Sequence, residues 1–227
     1  MKTPENTPAH DLASVRAHYD QLSVRYRDDS NQVCRRAYEA LTREVLSDAQ
    51  RVLELGAGPS PALSVLSAPV RVASDLSREM LRANPHLHEA VRLVADAQCL
   101  PFATGAFDAI FCVNVLEHVP DPGQLIREAA RILSPGGLFF GITPNGGTGW
   151  ILELLERLRL KLPEGPHRFL DYAELGSMLP PEMTMVRHRR FLAFPAGPDA
   201  LVRGVDRLFQ RGQGEGLFHY VLMRKDR

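Results

Sequence analysis

The 227-residue sequence lacks the features of several large protein classes. Its 27 basic and 27 acidic side chains leave no net charge, which removes the electrostatic argument for a general nucleic-acid or anionic-membrane binder. No apolar run approaches the roughly 18 residues that a membrane-spanning helix needs. The polar first residues, MKTPENTPAHD, lack the apolar segment of a secretory signal. What remains is a composition of 44% hydrophobic and 24% charged residues, typical of one globular domain.

Cysteine is also scarce. Cys34, Cys99 and Cys112 are odd in number, lie far apart and form no CxxC pair. We therefore expect neither a disulfide framework nor a metal site, and a reducing cytoplasm is the simplest location.

Short apolar segments alternate with helical patterns through the middle of the chain. Two helices are predicted near the start, the second over about 32–46. Strands are predicted at 52–55, 70–75, 91–94, 107–113 and 138–142, with helices after Pro61, at 78–82 and at about 123–133. This alternation predicts β-α-β units and an α/β fold with a parallel sheet covered on both faces.

The C-terminal part is less regular. Two further strands are predicted at 183–186 and 217–223, with a helix near 199–209 between them. Residues 150–162 carry an apolar helical stripe, which suits a lid over an apolar acceptor, core packing or a dimer contact. The basic cluster at 187–190 is interpreted as a solvated face at the end of a strand.

Polar side chains recur at the carboxyl ends of four successive predicted strands: Glu54, Asp75, Asp96 and Asn114. The carboxyl ends of parallel strands lie along one edge of a sheet, and ligands bind in the crevice outside that edge. The sequence therefore predicts one cleft that receives hydrogen-bonding groups from four strands. Asp108 begins its strand and is interpreted as structural.

Each of these positions has two interpretations. Gly56 and Gly58 form either a simple tight turn or a turn that lets the backbone approach a ligand. Glu54 is either a hydrogen-bonded structural carboxylate or the partner of a cationic ligand. Asp75 suits the two hydroxyls of a ribose or the cap of a helix. Asp96 accepts from an adenine amino group or is a loop acid.

Taken together, the functional interpretations describe a ligand that combines a nucleoside with a positively charged group. Such a ligand is S-adenosylmethionine rather than a dinucleotide. A dinucleotide site favours Gly-x-Gly-x-x-Gly, and Pro61 occupies the third glycine position here.

The ordered segments VLELGAGPS, ASDLSREML and LVADAQCLPFATGAFDAIFCVNVLEHVPDPGQLIREAARILSPGGLFFGITPN resemble a class I S-adenosylmethionine-dependent methyltransferase. The resemblance is greatest to the type 11 group, which includes ubiquinone- and menaquinone-biosynthesis-like enzymes. It covers residues 15–145, with a weaker match in HRFLDYAELGSML. It implies a Rossmann-like, doubly wound sheet of seven strands whose last strand is antiparallel. The implied parts are N-terminal helices (9–47), a cofactor-binding core (51–143), an acceptor-side insertion after strand 5 (144–182) and C-terminal strands (183–227).

The resemblance also implies roles for individual residues. Glu54, Gly56 and Gly58 would hold the methionine end of S-adenosylmethionine, and Asp75 with Leu76 would hold the ribose. The adenine would lie beside Asp96 and Ala97, and the pocket after the fourth strand would be lined by Asn114 and Leu116. An N-terminal aromatic residue closes over the cofactor in such relatives, and Tyr26, then Tyr19, are the candidates, although both also suit packing roles.

The chain departs from the usual pattern at Ser60, where relatives carry a third glycine. Ser60 is able to cap the following helix, with Pro61 at its first position, which would preserve the turn.

The implied reaction is in-line methyl transfer to a small-molecule acceptor, without nucleic acid as partner, achieved mainly by positioning. His118, after the fourth strand, is a candidate base or a pocket-lining residue, and His167 is a candidate on the acceptor side or a surface histidine. The alternative is an S-adenosylmethionine-binding protein that transfers no methyl group.

Overall fold

The computed structural model describes residues 11–23, 32–148, 168–191, 204 and 216–227. Its strands are β1 (Arg51–Leu55), β2 (Val70–Asp75), β3 (Val91–Val94), β4 (Phe107–Val113), β5 (Leu133–Pro144), β6 (Met183–Phe191) and β7 (Phe218–Lys225). They form one seven-stranded sheet in the order β3-β2-β1-β4-β5-β7-β6. The strands β1 to β5 pair in parallel, whereas β7 is antiparallel to both β5 and β6. The predicted α/β sheet with an antiparallel last strand is confirmed.

The helices are α1 (Leu12–Leu22), α2 (Gln32–Leu46), α3 (Arg78–Ala83), α4 (Pro122–Ile132) and α5 (Tyr172–Ser177), with 3-10 turns at Ala62–Val65 and Gly146–Thr148. Polar caps fix where four of them begin. Asp11, Ser77, Asp121 and Asp171 each accept a hydrogen bond from the backbone amide three residues later. These caps set the start of α1, of the helices that follow β2 and β4 and of the helix that precedes β6.

The sheet is buried on both faces. One hydrophobic cluster packs under α2 and the first 3-10 turn, and the other packs under α4 and α5. The strands β1 and β4 lie in the middle, where Leu53, Leu55, Ile110 and Phe111 have no exposed surface. Strands that are buried on both faces consist of continuous apolar runs, and the sequence pattern therefore located β1 and β4 accurately.

Two elements differ from the sequence prediction near the first strand. The helix predicted after Ser60 and Pro61 is a single 3-10 turn over Ala62–Val65, with Pro61 at the cap position. The Ser60 hydroxyl nevertheless accepts from the Ala62 amide at 3.0 Å, two residues on. Only a short connection precedes β2, and Pro69 within it cannot continue a helix.

The last three strands are longer than predicted. β5 begins at Leu133, because the predicted turn pairs irregularly with β4. β6 continues to Phe191, so the basic residues 187–190 lie inside the strand and not at its end. The pairing of Phe191 with Phe218 extends β6 beyond the apolar segment on which the prediction rested.

Asp108 has the structural role that was predicted, because its Oδ1 accepts from the Gln50 and Arg51 amides at 3.0 Å each. The predicted helix near 199–209 (Gly204 excepted) and the stripe at 150–162 lie outside the described residues. None of the helices in the described ranges is long and apolar enough to cross a membrane.

Candidate functional site

Glu54 lies near the carboxyl end of β1 and is almost completely buried, with 1% of its surface exposed. Its Oε2 atom has no hydrogen-bond partner among the described residues. Burial raises the pKa of the Glu54 carboxyl well above its ordinary value of 4.5; the Ser60 hydroxyl and the Leu63 amide oppose this, and the charge of Asp75 adds to it. A donor or cation placed at this strand end would therefore stabilise the ionised form.

The turn after β1 depends on its two glycines. Gly56 and Gly58 have φ values of 64° and 41°, in the left-handed region that disfavours residues with a side chain. A Cβ atom on Gly56 would lie 2.4 Å from Cγ2 of Val115, so there is no room for one. The turn thus packs directly against the segment that follows β4.

Asp75 ends β2 and orients the same turn. Its Oδ2 accepts from the Gly58 amide and its Oδ1 from the Ser77 amide, both at 2.8 Å. Burial raises the pKa of the Asp75 carboxyl, against the lowering effect of these two amides. Each oxygen has a second lone pair, so the half-buried carboxylate is fixed in direction and still able to accept from two hydroxyls. Leu76, the next residue, is half-buried beside it.

Helix α1 lies over this edge of the sheet. Its Asp20 carboxylate accepts from the Ser77 hydroxyl, and its Tyr19 ring stands edge-on to the His118 ring with centroids 5.7 Å apart. The helix therefore contacts the residues that follow both β2 and β4. Tyr26 lies outside the described residues, so its closing role stays a prediction, and Tyr19 is the described aromatic residue at this edge.

Asn114 follows β4 and has an unusual backbone for a residue with a side chain, with φ 53°. The backbone amide of Asn114 donates to the Ile142 carbonyl at 2.8 Å, which holds the backbone in place. Its Oδ1 is buried and has no hydrogen-bond partner in the described ranges. Leu116, expected to line the pocket, has no exposed surface and packs within the core under α4. The segment turns inward after Asn114, and the role of Leu116 in lining the pocket stays a prediction.

The two residues after Leu116 bring a carboxylate and an imidazole together. His118 is 6% exposed, and its Nε2 lies 4.0 Å from Oε1 of the buried Glu117. The other Glu117 oxygen accepts from the Thr143 hydroxyl at 3.0 Å. Sequence reasoning singled out His118 and missed Glu117, for which adjacency to the histidine was the available signal. His167 lies outside the described residues, although the amide of the next residue, Arg168, donates to the Glu117 carbonyl at 2.8 Å.

Asp96 and Ala97 follow β3, one strand farther from the centre. Asp96 Oδ1 accepts from the backbone amide and the side-chain amide of Gln98 at 2.9 and 3.1 Å. This carboxylate is therefore built into its own turn, and its interaction with an adenine stays a prediction. Ala97 is half-buried.

All four predicted strand-end residues thus lie at the ends of adjacent strands, in the order Asp96 after β3, Asp75 on β2, Glu54 on β1 and Asn114 after β4. Two of them present buried acceptor atoms without partners among the described residues. An ammonium group carries three donors and no acceptor, so it is chemically matched to acceptors of this kind. Beside them, the oriented Asp75 carboxylate suits a diol. This set of acceptors fits S-adenosylmethionine, which carries both groups.

Residues 53–141 match the family model described as a methyltransferase domain. A ubiquinone biosynthesis O-methyltransferase from Xanthomonas oryzae pv. oryzae is 37% identical in an alignment of 144 residues that covers 57% of this chain. The match covers 60% of that relative, so this chain spans less than two-thirds of its length.

Solved structures show the same fold. A methyltransferase of Thermotoga maritima, described as a possible histamine N-methyltransferase, has a TM-score of 0.70 at 17% identity, covering 94% of this chain and 100% of that one. The N-methyltransferase NodS of Bradyrhizobium japonicum, in complex with S-adenosyl-L-homocysteine, has a TM-score of 0.64 at 14% identity, with coverages of 94% and 99%.

Replacing Gly56 with alanine should destabilise the chain more than the same change at Gly136. Both glycines have positive φ, at 64° and 79°, but a Cβ on Gly136 would meet nothing within 4 Å. We expect Gly136→Ala to lower the free energy of unfolding by about 1–2 kcal/mol and Gly56→Ala to lower it by a further 1–3 kcal/mol, approximately. Urea unfolding measures both. Val115→Ala in the Gly56→Ala background should recover part of the additional loss; equal losses at the two glycines would contradict the close packing.

Glu54→Gln should stabilise the ligand-free chain at neutral pH. Because its carboxyl has a raised pKa in the folded chain, folding binds a proton, and stability falls as pH rises from 4.5 toward that raised value. A neutral glutamine avoids this loss. We expect a thermal midpoint a few degrees above wild type at pH 7–8, and no difference below about pH 4.5.

The exposed carboxylate Glu182 offers the matched control, since Glu182→Gln should unfold at the wild-type temperature throughout. A Glu54→Gln midpoint below wild type at neutral pH would mean that the buried carboxylate stabilises the fold.

Proposed function

We propose that the chain is a class I S-adenosylmethionine-dependent methyltransferase of the type 11 group and that it methylates a hydroxyl oxygen of a small-molecule acceptor. The observation that supports this best is that Glu54 Oε2 and Asn114 Oδ1 are buried acceptors without partners among the described residues, on the same sheet edge as the oriented Asp75. This set favours a ligand that combines an ammonium group with a ribose.

In the proposed complex, Glu54 and Asn114 accept from the ammonium of the methionine part. Asp75 accepts from the ribose hydroxyls, Gly56 and Gly58 allow the backbone to approach the ligand, and the adenine lies toward Asp96. The negative charges of Glu54 and Asp75 also favour a cation at this edge over the anionic phosphates of a dinucleotide.

When bound, S-adenosylmethionine supplies an already activated methyl group on its sulfonium. The main task of the chain is then alignment of donor and acceptor, which contributes up to roughly 7–11 kcal/mol in favourable cases. His118 takes the proton of the acceptor hydroxyl, and the Glu117 carboxylate, fixed by the Thr143 hydroxyl at 3.0 Å, stabilises the imidazolium.

Two observations favour oxygen and a small acceptor. The relative from Xanthomonas is named an O-methyltransferase, and this chain lacks the Asn-Pro-Pro-aromatic signature after β4 that amide- and base-methylating relatives carry. A cytoplasmic location belongs to the same proposal, because Cys34, Cys99 and Cys112 are all free thiols.

Ser60, which stands where relatives carry a third glycine, is the feature of the sequence that favours the alternative, a binding protein without transfer. In the structure its amide donates to the Ala57 carbonyl at 2.9 Å, and its hydroxyl accepts from the Ala62 amide at 3.0 Å. The turn closes with serine in place, so Ser60 gives no structural reason to prefer the binding protein.

Thermal stabilisation and calorimetric binding by S-adenosylhomocysteine test the cofactor assignment, with NAD and ATP as control ligands. At 100 times its dissociation constant the ligand should stabilise the wild-type chain by about 2.7 kcal/mol, and Glu54→Gln should bind it more weakly. Stabilisation by NAD instead would refute the proposal. A panel of phenols, amines and thiols then tests the acceptor atom, and transfer confined to amines or thiols would contradict oxygen.

His118→Ala should retain its affinity for S-adenosylhomocysteine within about twofold and lose turnover by about 100-fold or more, because a positioned base contributes at least this much. The exposed His88, changed to alanine, is the control and should retain both. Unchanged turnover of His118→Ala would remove this residue from the reaction.

A further inference from the structure

Asn84 is a buried polar residue without a role so far. It ends α3 and is 1% exposed. Its side-chain Nδ2 donates to the Gly58 carbonyl at 2.7 Å and to the Ser60 carbonyl at 2.9 Å, while its Oδ1 accepts from the His86 amide at 2.8 Å. Both donors of the amide therefore serve the turn after β1, which lies 24 to 26 residues earlier in the chain.

These bonds hold Gly58 from two sides. Its amide donates to Asp75 Oδ2 at 2.8 Å, and its carbonyl accepts from Asn84. Glycine has wide backbone freedom, and Gly58 has φ 41°, so an unrestrained turn would sample many conformations. Asn84 and Asp75 together restrict the turn to one of them.

We propose that Asn84 is a positioning residue for the cofactor, because it holds the Gly58 and Ser60 carbonyls and so keeps the glycine turn in its ligand-accepting conformation. This inference rests on the function proposed above. A turn already ordered in the free protein loses less entropy on binding. The two Asn84 hydrogen bonds therefore increase the affinity for the ligand without contacting it.

A second buried asparagine, Asn145, orders a different loop and provides the matched control for Asn84. Asn145 is 2% exposed; its Nδ2 donates to the Gly216 carbonyl at 2.8 Å and its Oδ1 accepts from the Gly147 amide at 3.0 Å. It repeats the bonding pattern of Asn84 between β5 and the start of β7, away from the glycine turn. Asn145→Ala therefore reports the cost of losing such a residue without disturbing that turn.

The experiment compares Asn84→Ala, Asn84→Asp and Asn145→Ala by calorimetric titration with S-adenosylhomocysteine and by thermal unfolding without ligand. Both Asn84 variants should bind about tenfold more weakly, with Asn84→Asp the weaker, because it retains the acceptor for His86 but places a carboxylate against two carbonyls. Asn145→Ala should unfold at a lower temperature and bind within about twofold of wild type. Wild-type affinity in a folded Asn84→Asp would overturn the proposal.

Hydrogen exchange of the ligand-free chain separates this proposal from the function it rests on. Amides in residues 56–60 should exchange faster in the Asn84 variants than in wild type or Asn145→Ala. If the wild-type chain binds no S-adenosylhomocysteine, the proposed function fails. If exchange at residues 56–60 is unchanged in the Asn84 variants, the positioning role of Asn84 is refuted. Should Asn84→Ala not fold, Asn84→Ser, which retains one donor, takes its place in both measurements.

Discussion

The parallel register of β1 between β2 and β4 is the constraint on which the site depends. Leu55 pairs with Ser74 on one side and Cys112 on the other, so the three strands end at nearly the same level. Neighbouring strands lie about 4.8 Å apart, which brings the polar residues at these ends within reach of one small molecule. The two glycines allow the connecting turn to leave this space open, and a shift of one residue in either pairing would turn the polar residues away from it.

The same arrangement makes the ligand-free chain less stable than its core alone would allow. Glu54 and Asn114 keep buried acceptors without partners in the described ranges, and Asn114 also holds a left-handed backbone. Each feature costs free energy that a ligand with donors at this edge would offset. The core under α2 and α4, where most side chains are fully buried, supplies the stability that tolerates these costs.

Much of the fold and part of the site could be predicted because they depend on local pattern. The alternation of apolar strands and helices located the sheet, and polar residues at strand ends identified Glu54, Asp75 and Asn114. The sequence did not reveal that Leu116 turns into the core, because the left-handed Asn114 redirects the chain before it. It gave no signal for Asn84, since a contact across 26 residues has no periodicity. Tyr26 and His167 stay predictions, because both lie outside the described residues.

The position of β7 has a consequence for synthesis. It is the last of the seven described strands along the sequence, yet it lies between β5 and β6 and is the strand that links them. On the ribosome, β5 therefore presents an open edge and β6 has no sheet partner until residues 218–225 emerge. Assembly of the β5-β7-β6 part of the sheet must wait for this segment, whereas β1 to β4, whose pairings lie within one stretch of chain, are able to associate earlier. The unpaired edge of β5 is thus a point at which nascent chains are open to aggregation or to a chaperone.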